Sequence, residues 1–132
     1  MTSEPSVVYP DYVETVALHI RLMMRLHESY YGVASEDLLR SALERPRMAA
    51  QFEEADLFRQ AAHLLWGLIN DHPFRQGNKR TGVAMAFAFL ERNGRRVTAS
   101  QEDIVALGFG VAQGRMDVDA VDVWLRERSH VL

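Results

Sequence analysis

The run GVAMAFAFL, at residues 82–90, is the feature that most constrains the fold of this chain. It is apolar on every side of a helix, and such a helix has to be covered by other elements. It is also much too short to cross a bilayer, which takes ~20 apolar residues. Asn93 and Gly94 follow it as a helix stop. The run therefore predicts a buried central helix in a protein that dissolves in water.

Most of the remaining chain repeats its apolar residues at helical spacing, and we predict an all-α domain of about six helices. The first should cover residues 11–29, with an inward face formed by Val13, Val16, Ala17, Ile20, Met24 and Leu26. The second is capped by Ser35 and should end before Pro46. Later helices are expected at residues 56–70, 77–92, 100–111 and 119–128.

Residues 46–54 are the least periodic part of the chain. We predict an irregular excursion at this point, because neither helical nor strand spacing is sustained. A short β-hairpin within this segment is the only β element that the sequence suggests.

The composition fits one globular domain over residues 1–132, with 48% hydrophobic and 25% charged residues. The chain has no cysteine, which excludes disulfides, thiolate metal sites and a cysteine nucleophile. Its formal net charge of −3 disfavours direct nucleic-acid binding. The N-terminus has neither the basic nor the apolar part of a secretory signal. We therefore expect a cytoplasmic protein without membrane contact.

The stretch NDHPFRQGNKRTG, residues 70–82, places many polar side chains between two apolar helices. Pro73 restricts the backbone after His72, and Phe74 is expected to plug the loop into the core. Gly77 allows a tight turn that brings the backbone close to a ligand. His72 is of the side-chain type that changes charge near neutral pH, so it could act as a general base.

The helix after this loop should start near Gly77 and Asn78, so its unpaired N–H groups and positive dipole end face the loop. Such a terminus binds anions, phosphate in particular. Lys79, the only lysine of the chain, and Arg80 add positive charge at the same end. Cations are unfavourable there unless an anion compensates them. Together with His72, this pattern predicts nucleotide-dependent group transfer to an alcohol.

Each of these residues also has an ordinary structural interpretation. A single histidine is more often structural than catalytic, a Gly-Asn pair is usually a turn, and adjacent cations are usually solvated. The spacing alone leaves a phosphate site and a plain loop equally open. Three other histidines lie on predicted helices without the spacing of metal ligands, and core or surface roles are expected for them: His19, His27 and His63.

The nine residues HPFRQGNKR resemble the signature of the Fic/Doc superfamily, His-x-Phe-x-(Asp/Glu)-(Gly/Ala)-Asn-(Gly/Lys)-Arg. Lys79 matches the death-on-curing (Doc) branch, whereas AMP-transferring Fic enzymes have glycine at that position. Val83 stands where those enzymes usually have a second arginine. No glutamate of the chain is followed by Gly or Asn. The inhibitory (Ser/Thr)-x-x-x-Glu-(Gly/Asn) helix of many Fic proteins is therefore absent.

The resemblance implies a Fic/Doc-type helical bundle, with a flap near residues 46–54, and a cytoplasmic toxin of a toxin–antitoxin pair. Doc-type toxins are kinases that pass the terminal phosphate of ATP to a threonine of elongation factor Tu and stop translation. ATP is then the co-substrate, Mg²⁺ the metal, and a Phd-like or other small antitoxin the partner. Carried over by position, His72 is the catalytic base and Phe74 the loop anchor. The implied phosphate-binding residues are Gly77, Asn78, Lys79 and Arg80.

Gln76 departs from this pattern, because the family has an acidic residue there that helps to hold Mg²⁺. A glutamine offers only a neutral oxygen. The metal could be held mainly by phosphates and water, or Asp71 could substitute, although a helix-end role is commoner. Arg75 could replace part of the metal's charge. The alternatives to a protein Ser/Thr phosphotransferase are an AMP-transferring enzyme and a catalytically impaired nucleotide- or antitoxin-binding module.

Overall fold

The computed structural model describes residues 6–132. Residues 1–5, part of the segment in which we expect no secretory signal, lie outside the described residues. The elements follow one another as α1 (Tyr12–Arg25), α2 (Glu36–Glu53), α3 (Leu57–Asn70), α4 (Asn78–Arg92), β1 (Arg95–Val97), α5 (Gln101–Ala112), α6 (Val118–Glu127) and β2 (Ser129–Val131). The all-α prediction is confirmed, since these are the six helices that the sequence suggests.

Helices α3 and α4 form the centre of the bundle. They pack against each other, α2 and α6 cover α3, and α1 and α5 lie against α4. The predicted central helix is confirmed, because the apolar run at 82–90 has most of its side chains in the core. Asn93 ends α4, and Gly94 follows it in the left-handed conformation with φ +92°. Within residues 6–132, every helix is too short or too polar to span a bilayer.

Side-chain caps fix where five of the helices begin. In each case an Asp or Ser oxygen accepts a hydrogen bond from the third backbone amide of the helix, and the capping residues are Asp11, Ser35, Asp56, Ser100 and Asp117. Helix α4 begins differently, at Gly77, which has no side chain to offer its amides. The start of α4 thus keeps N–H groups that a ligand can use.

The prediction for residues 46–54 is wrong, because α2 continues through Pro46 to Glu53. Proline removes one backbone donor and crowds the preceding turn, which is why an end was expected there. The ring is buried instead, and it extends a helical stripe of core residues formed by Leu39, Ala42, Leu43, Pro46 and Ala49. This burial offsets the lost hydrogen bond. The segment therefore carries neither an irregular flap nor a hairpin.

The small antiparallel sheet lies elsewhere in the chain. Strand β1 follows α4 and pairs with β2 near the C-terminus, with Arg95 opposite Val131 and Val97 opposite Ser129. Both strands have three residues, too short for alternation to distinguish them from loop in the sequence. The sheet joins the end of the central helix to the last residues of the bundle.

The inward face predicted for α1 is wrong in part, because Val16 packs against the core but Val13, Ile20 and Met24 are exposed. Thr15, His19 and Met23 are buried, whereas Val13 and Met24 are 75% and 60% exposed. The buried polar groups have partners, as the Thr15 hydroxyl donates to the Asp11 carbonyl at 2.7 Å. Because satisfied polar groups can be buried at little cost, Thr15 and His19 can face inward beside Met23. The helix also ends at Arg25, earlier than the predicted residue 29.

Candidate active site

The loop at residues 71–77 joins the two central helices and is held at its start by an ion pair. Asp71 ends α3, and its two carboxylate oxygens accept from Arg45 of α2 at 2.9–3.2 Å. His72 follows with φ +49°, in the left-handed region that non-glycine residues seldom adopt. Its side chain is exposed. The structure thus holds this histidine at the surface in a conformation that costs energy, a situation common at functional sites.

A second segment, residues 26–35, supports this loop, and we call it the supporting loop. The Pro73 carbonyl accepts from the amides of Ala34 and Ser35 at 2.8 and 3.1 Å. The Arg75 amide donates to the Gly32 carbonyl at 2.9 Å. These backbone bonds fix the course of the 71–77 loop independently of its side chains.

The side chains of Phe74 and Asn78 hold the 71–77 loop against the protein interior. Phe74 is 2% exposed, in line with its expected place in the core. The Asn78 side chain accepts from the Phe74 amide at 2.9 Å and donates to the Phe74 carbonyl at 3.0 Å. Its Nδ2 also lies 3.5 Å from Nδ1 of His72. The side chain of Asn78 therefore organises the loop, and its backbone amide belongs to the open end of α4.

His19 is a buried residue of α1 that contacts both the supporting loop and the 71–77 loop. Its ring stacks on Phe74 with 3.9 Å between centroids. Its Nε2 accepts from the Gly32 amide at 3.0 Å, which leaves the ring proton on Nδ1, 2.8 Å from Oγ1 of Thr81. Burial lowers the pKa of His19 to about 4, so the ring is neutral at neutral pH. One neutral imidazole thus links α1, the supporting loop, the 71–77 loop and α4.

The open end of α4 is the part of the site suited to an anion. Gly77 has φ +79°, and its position brings the backbone against Met23 and His19. The helix dipole and the free amides favour negative charge at this point. Within the described chain, neither Lys79 nor Arg80 has a carboxylate within ion-pair distance. We call residues 77–80 the phosphate cradle.

The side chain of Lys79 points from the cradle toward α5. Its Nζ lies 5.1 Å from the centre of the Phe109 ring, and its stem packs on Gly108. A groove of about 450 Å³ opens here between α1, α4 and α5, with Lys79 and Arg80 at one end and apolar side chains such as Phe87 along its walls. The cradle therefore continues into an apolar groove of the size that small ligands occupy.

Comparison with known proteins identifies the class to which this arrangement belongs. The sequence model of the Fic/DOC family matches residues 9–90, more than half of the chain. The chain belongs to the Fic/DOC family. It is also 32% identical over 114 residues to the protein kinase doc of Escherichia phage P1, an alignment that covers 86% of this chain and 89% of the relative. The resemblance drawn from HPFRQGNKR, and from Lys79 for the Doc branch, is confirmed.

The 71–77 loop brings His72 and Phe74 next to the cradle, as the motif implies. The other candidate side chains, Asp71, Arg75 and Gln76, have different contacts. Asp71 has both carboxylate oxygens on Arg45, which favours its helix-end role over metal binding. Arg75 turns outward, with Nη1 3.5 Å from the Tyr31 carbonyl. Gln76 contacts a carboxylate, since its Nε2 donates to Oε2 of Glu28 at 3.1 Å. Among residues 6–132, no three acidic or histidine side chains form a ready metal cluster.

His19 is the site-building residue that the sequence interpretation missed. A signal was available, since Thr15, His19 and Met23 recur at four-residue spacing and so share one face of a helix. The apolar residues elsewhere on this helix are more numerous, so their spacing is the stronger signal in the sequence. Only the partners at Gly32 and Thr81 show why a histidine can occupy the inward position.

Stability should depend on pH through His19. Its folded pKa is about 4 and its ordinary value is 6.5, so the unfolded chain takes up the proton first as pH falls. The contribution of neutral His19 to the free energy of unfolding is therefore fully present above pH 6.5. It is lost as the pH falls toward the folded pKa of about 4. Between about pH 7 and pH 4.5 we expect a loss of about 2 kcal/mol of unfolding free energy. Urea unfolding at the two pH values measures it.

The matched variant for this measurement is His19→Gln, which can still accept from Gly32 but cannot titrate. It should be less stable than the wild type at neutral pH, and its unfolding free energy should depend less on pH. Glu14 and Asp56, whose carboxyl pKa values are lowered by Arg92 and Arg126, are common to both proteins. Equal pH dependence in the two proteins would show that His19 does not carry the effect.

Proposed function

We propose that this protein is a Doc-like toxin of a toxin–antitoxin pair that transfers the γ-phosphate of ATP to a Ser or Thr hydroxyl of a translation factor. The observation that carries the proposal is the placement of His72 at the mouth of the phosphate cradle, on a loop fixed from both sides. The relative of phage P1 is named a protein kinase, which favours phosphate as the transferred group. By resemblance, elongation factor Tu is the expected substrate.

The chemistry assigned to this chain is a single displacement. His72 takes the proton of the substrate hydroxyl, whose oxygen forms a bond to the γ-phosphorus as the bond to the β,γ-bridging oxygen breaks. ADP leaves with that oxygen. The amides of the cradle, with Lys79 and Arg80, stabilise the phosphate charge without having to reorganise. The apolar groove beside Lys79 offers room for the nucleoside, and Phe74 keeps the loop in place.

Mg²⁺ would accompany the nucleotide in this proposal. It neutralises phosphate charge when it is bound, and it commonly relies on phosphate oxygens and water with only one or two carboxylates from the protein. The side-chain N–H of Gln76 donates a hydrogen bond to the Glu28 carboxylate, so Oε1 of Gln76 is the atom left for a cation. The residues around the cradle therefore fit a nucleotide-bound metal rather than a separate protein cage.

The decisive experiment compares two labels. Purified protein is incubated with elongation factor Tu and with ATP that carries radioactive phosphorus at either the γ- or the α-position. The proposal expects acid-stable label on a hydroxyl residue from γ-labelled ATP alone. Label from the α-position would identify AMP transfer. Binding of ATP without any labelling, in a lysate as well as with the purified factor, would favour the impaired module that Gln76 raises as an alternative.

Control by an antitoxin is part of the same proposal. Expression of the chain alone in the bacterial cytoplasm should arrest growth, and co-expression of a small protein encoded beside it should restore growth. A wild-type chain that is harmless on its own would contradict the toxin assignment. It would leave the transfer activity to be judged by the labelling experiment.

A further inference from the structure

Glu28 lies against the 71–77 loop although it precedes Gln76 by 48 residues in the sequence. It follows His27, whose φ of +58° turns the chain sharply after α1, and its own amide donates to the Met23 carbonyl at 2.9 Å. This turn places its Oε2 at 3.1 Å from Nε2 of Gln76. The residue that replaces the family's carboxylate is thus in contact with a carboxylate from another part of the fold.

We propose that Glu28 supplies the negative charge that is missing at position 76, and that Glu28 and Gln76 together hold the divalent cation that accompanies the nucleotide phosphates. This inference rests on the proposed nucleotide binding. It assigns to the supporting loop a ligand role that the motif itself does not contain.

The contact orients both side chains for this role. A glutamine amide has one donor end and one acceptor end, and the donor end must face a carboxylate. Glu28 therefore holds Gln76 by its donor end, which leaves Oε1 of Gln76 free as a neutral oxygen ligand. Oxygen ligands of this kind, one carboxylate and one amide, suit Mg²⁺ when phosphates and water complete its shell.

The charge of Glu28 is also available. Within residues 6–132, its carboxylate has no Lys, Arg or His partner at ion-pair distance. Asp71, the acidic residue adjacent to His72, is bound through both oxygens by Arg45. A carboxylate paired only with a neutral amide keeps its full charge for a cation, whereas one paired with arginine does not.

The test measures the affinity for ATP by calorimetry, with Mg²⁺ and with a chelator, for the wild type and for Glu28→Gln. Loss of the carboxylate should weaken Mg·ATP binding by roughly tenfold, as loss of a group that supports a metal site commonly does. Binding of ATP without metal should be unchanged or tighter, because a negative charge near the phosphates has been removed. Glu102→Gln, an exposed glutamate at the start of α5, is the matched control and should change neither affinity.

Each alternative gives a different result. A purely structural role for Glu28 would weaken binding equally with and without Mg²⁺, and no role would leave both affinities at the wild-type value; either result overturns the inference alone. A wild type that binds no ATP under either condition would overturn the proposed function as well. Gln76→Asp introduced into the Glu28→Gln protein should restore the Mg²⁺ dependence, since it returns a carboxylate to position 76.

Discussion

Replacement of His72 should lower the rate of phosphate transfer by about 10²–10⁴-fold, the usual contribution of a general base. His72→Asn is the better variant, because asparagine tolerates the left-handed backbone that φ +49° requires, whereas alanine adds strain to the loss of the imidazole. The His72 side chain is exposed, and its one hydrogen bond within residues 6–132, to Asn78, is 3.5 Å long. Folding and ATP affinity should therefore be kept while transfer is lost.

The rate is measured from γ-labelled ATP with the substrate protein in excess, and growth arrest on expression is the parallel readout. His130→Asn serves as the control, because His130 is exposed on β2, outside the 71–77 loop. It should leave both readouts unchanged. If His72→Asn still transfers phosphate at the wild-type rate, the base lies elsewhere. If it loses ATP binding to the same extent as transfer, His72 acts in binding.

The central part of the fold could be predicted because its signals are local. The apolar run at 82–90, the Ser100 cap and the Asn93-Gly94 stop each act within a few residues, so the sequence places α4 and α5 correctly. The path of α2 through Pro46 could not be predicted in this way. Whether a proline ends a helix depends on whether its ring can be buried, and that burial is decided by α3, which follows later in the chain.

In the candidate site, too, the local part could be predicted and the contacts between distant segments could not. The motif is contiguous, so residues 72–80 were predicted to lie together from their spacing and from a resemblance. The groups that hold the motif come from distant segments: Arg45 contacts Asp71, His19 stacks on Phe74, Gly32 accepts from the Arg75 amide, and Glu28 accepts from Gln76. Spacing can show which side of a helix His19 occupies, but a single sequence does not show which distant segment each of these residues will contact.

Gly77 is the residue of the cradle whose replacement should cost most stability. Gly77→Ala places a side chain at φ +79°, which costs roughly 1–2 kcal/mol for a residue other than glycine. The new Cβ would also lie 2.5 Å from Sδ and 2.6 Å from Cε of Met23, a side chain that is 1% exposed and has little room to move. Overpacking of this kind adds about 1–3 kcal/mol. Urea unfolding should show the sum of the two effects.

Gly114→Ala separates the two contributions. Gly114 has φ +75°, nearly the value of Gly77, but an added Cβ there meets no atom within 4 Å. It should show the backbone cost alone, and the excess in Gly77→Ala should fall when Met23 is also shortened to alanine, with a coupling of about 1 kcal/mol. Equal losses in the two single variants would mean that Met23 yields freely. The close packing of the cradle on α1 would then not be what restricts this position to glycine.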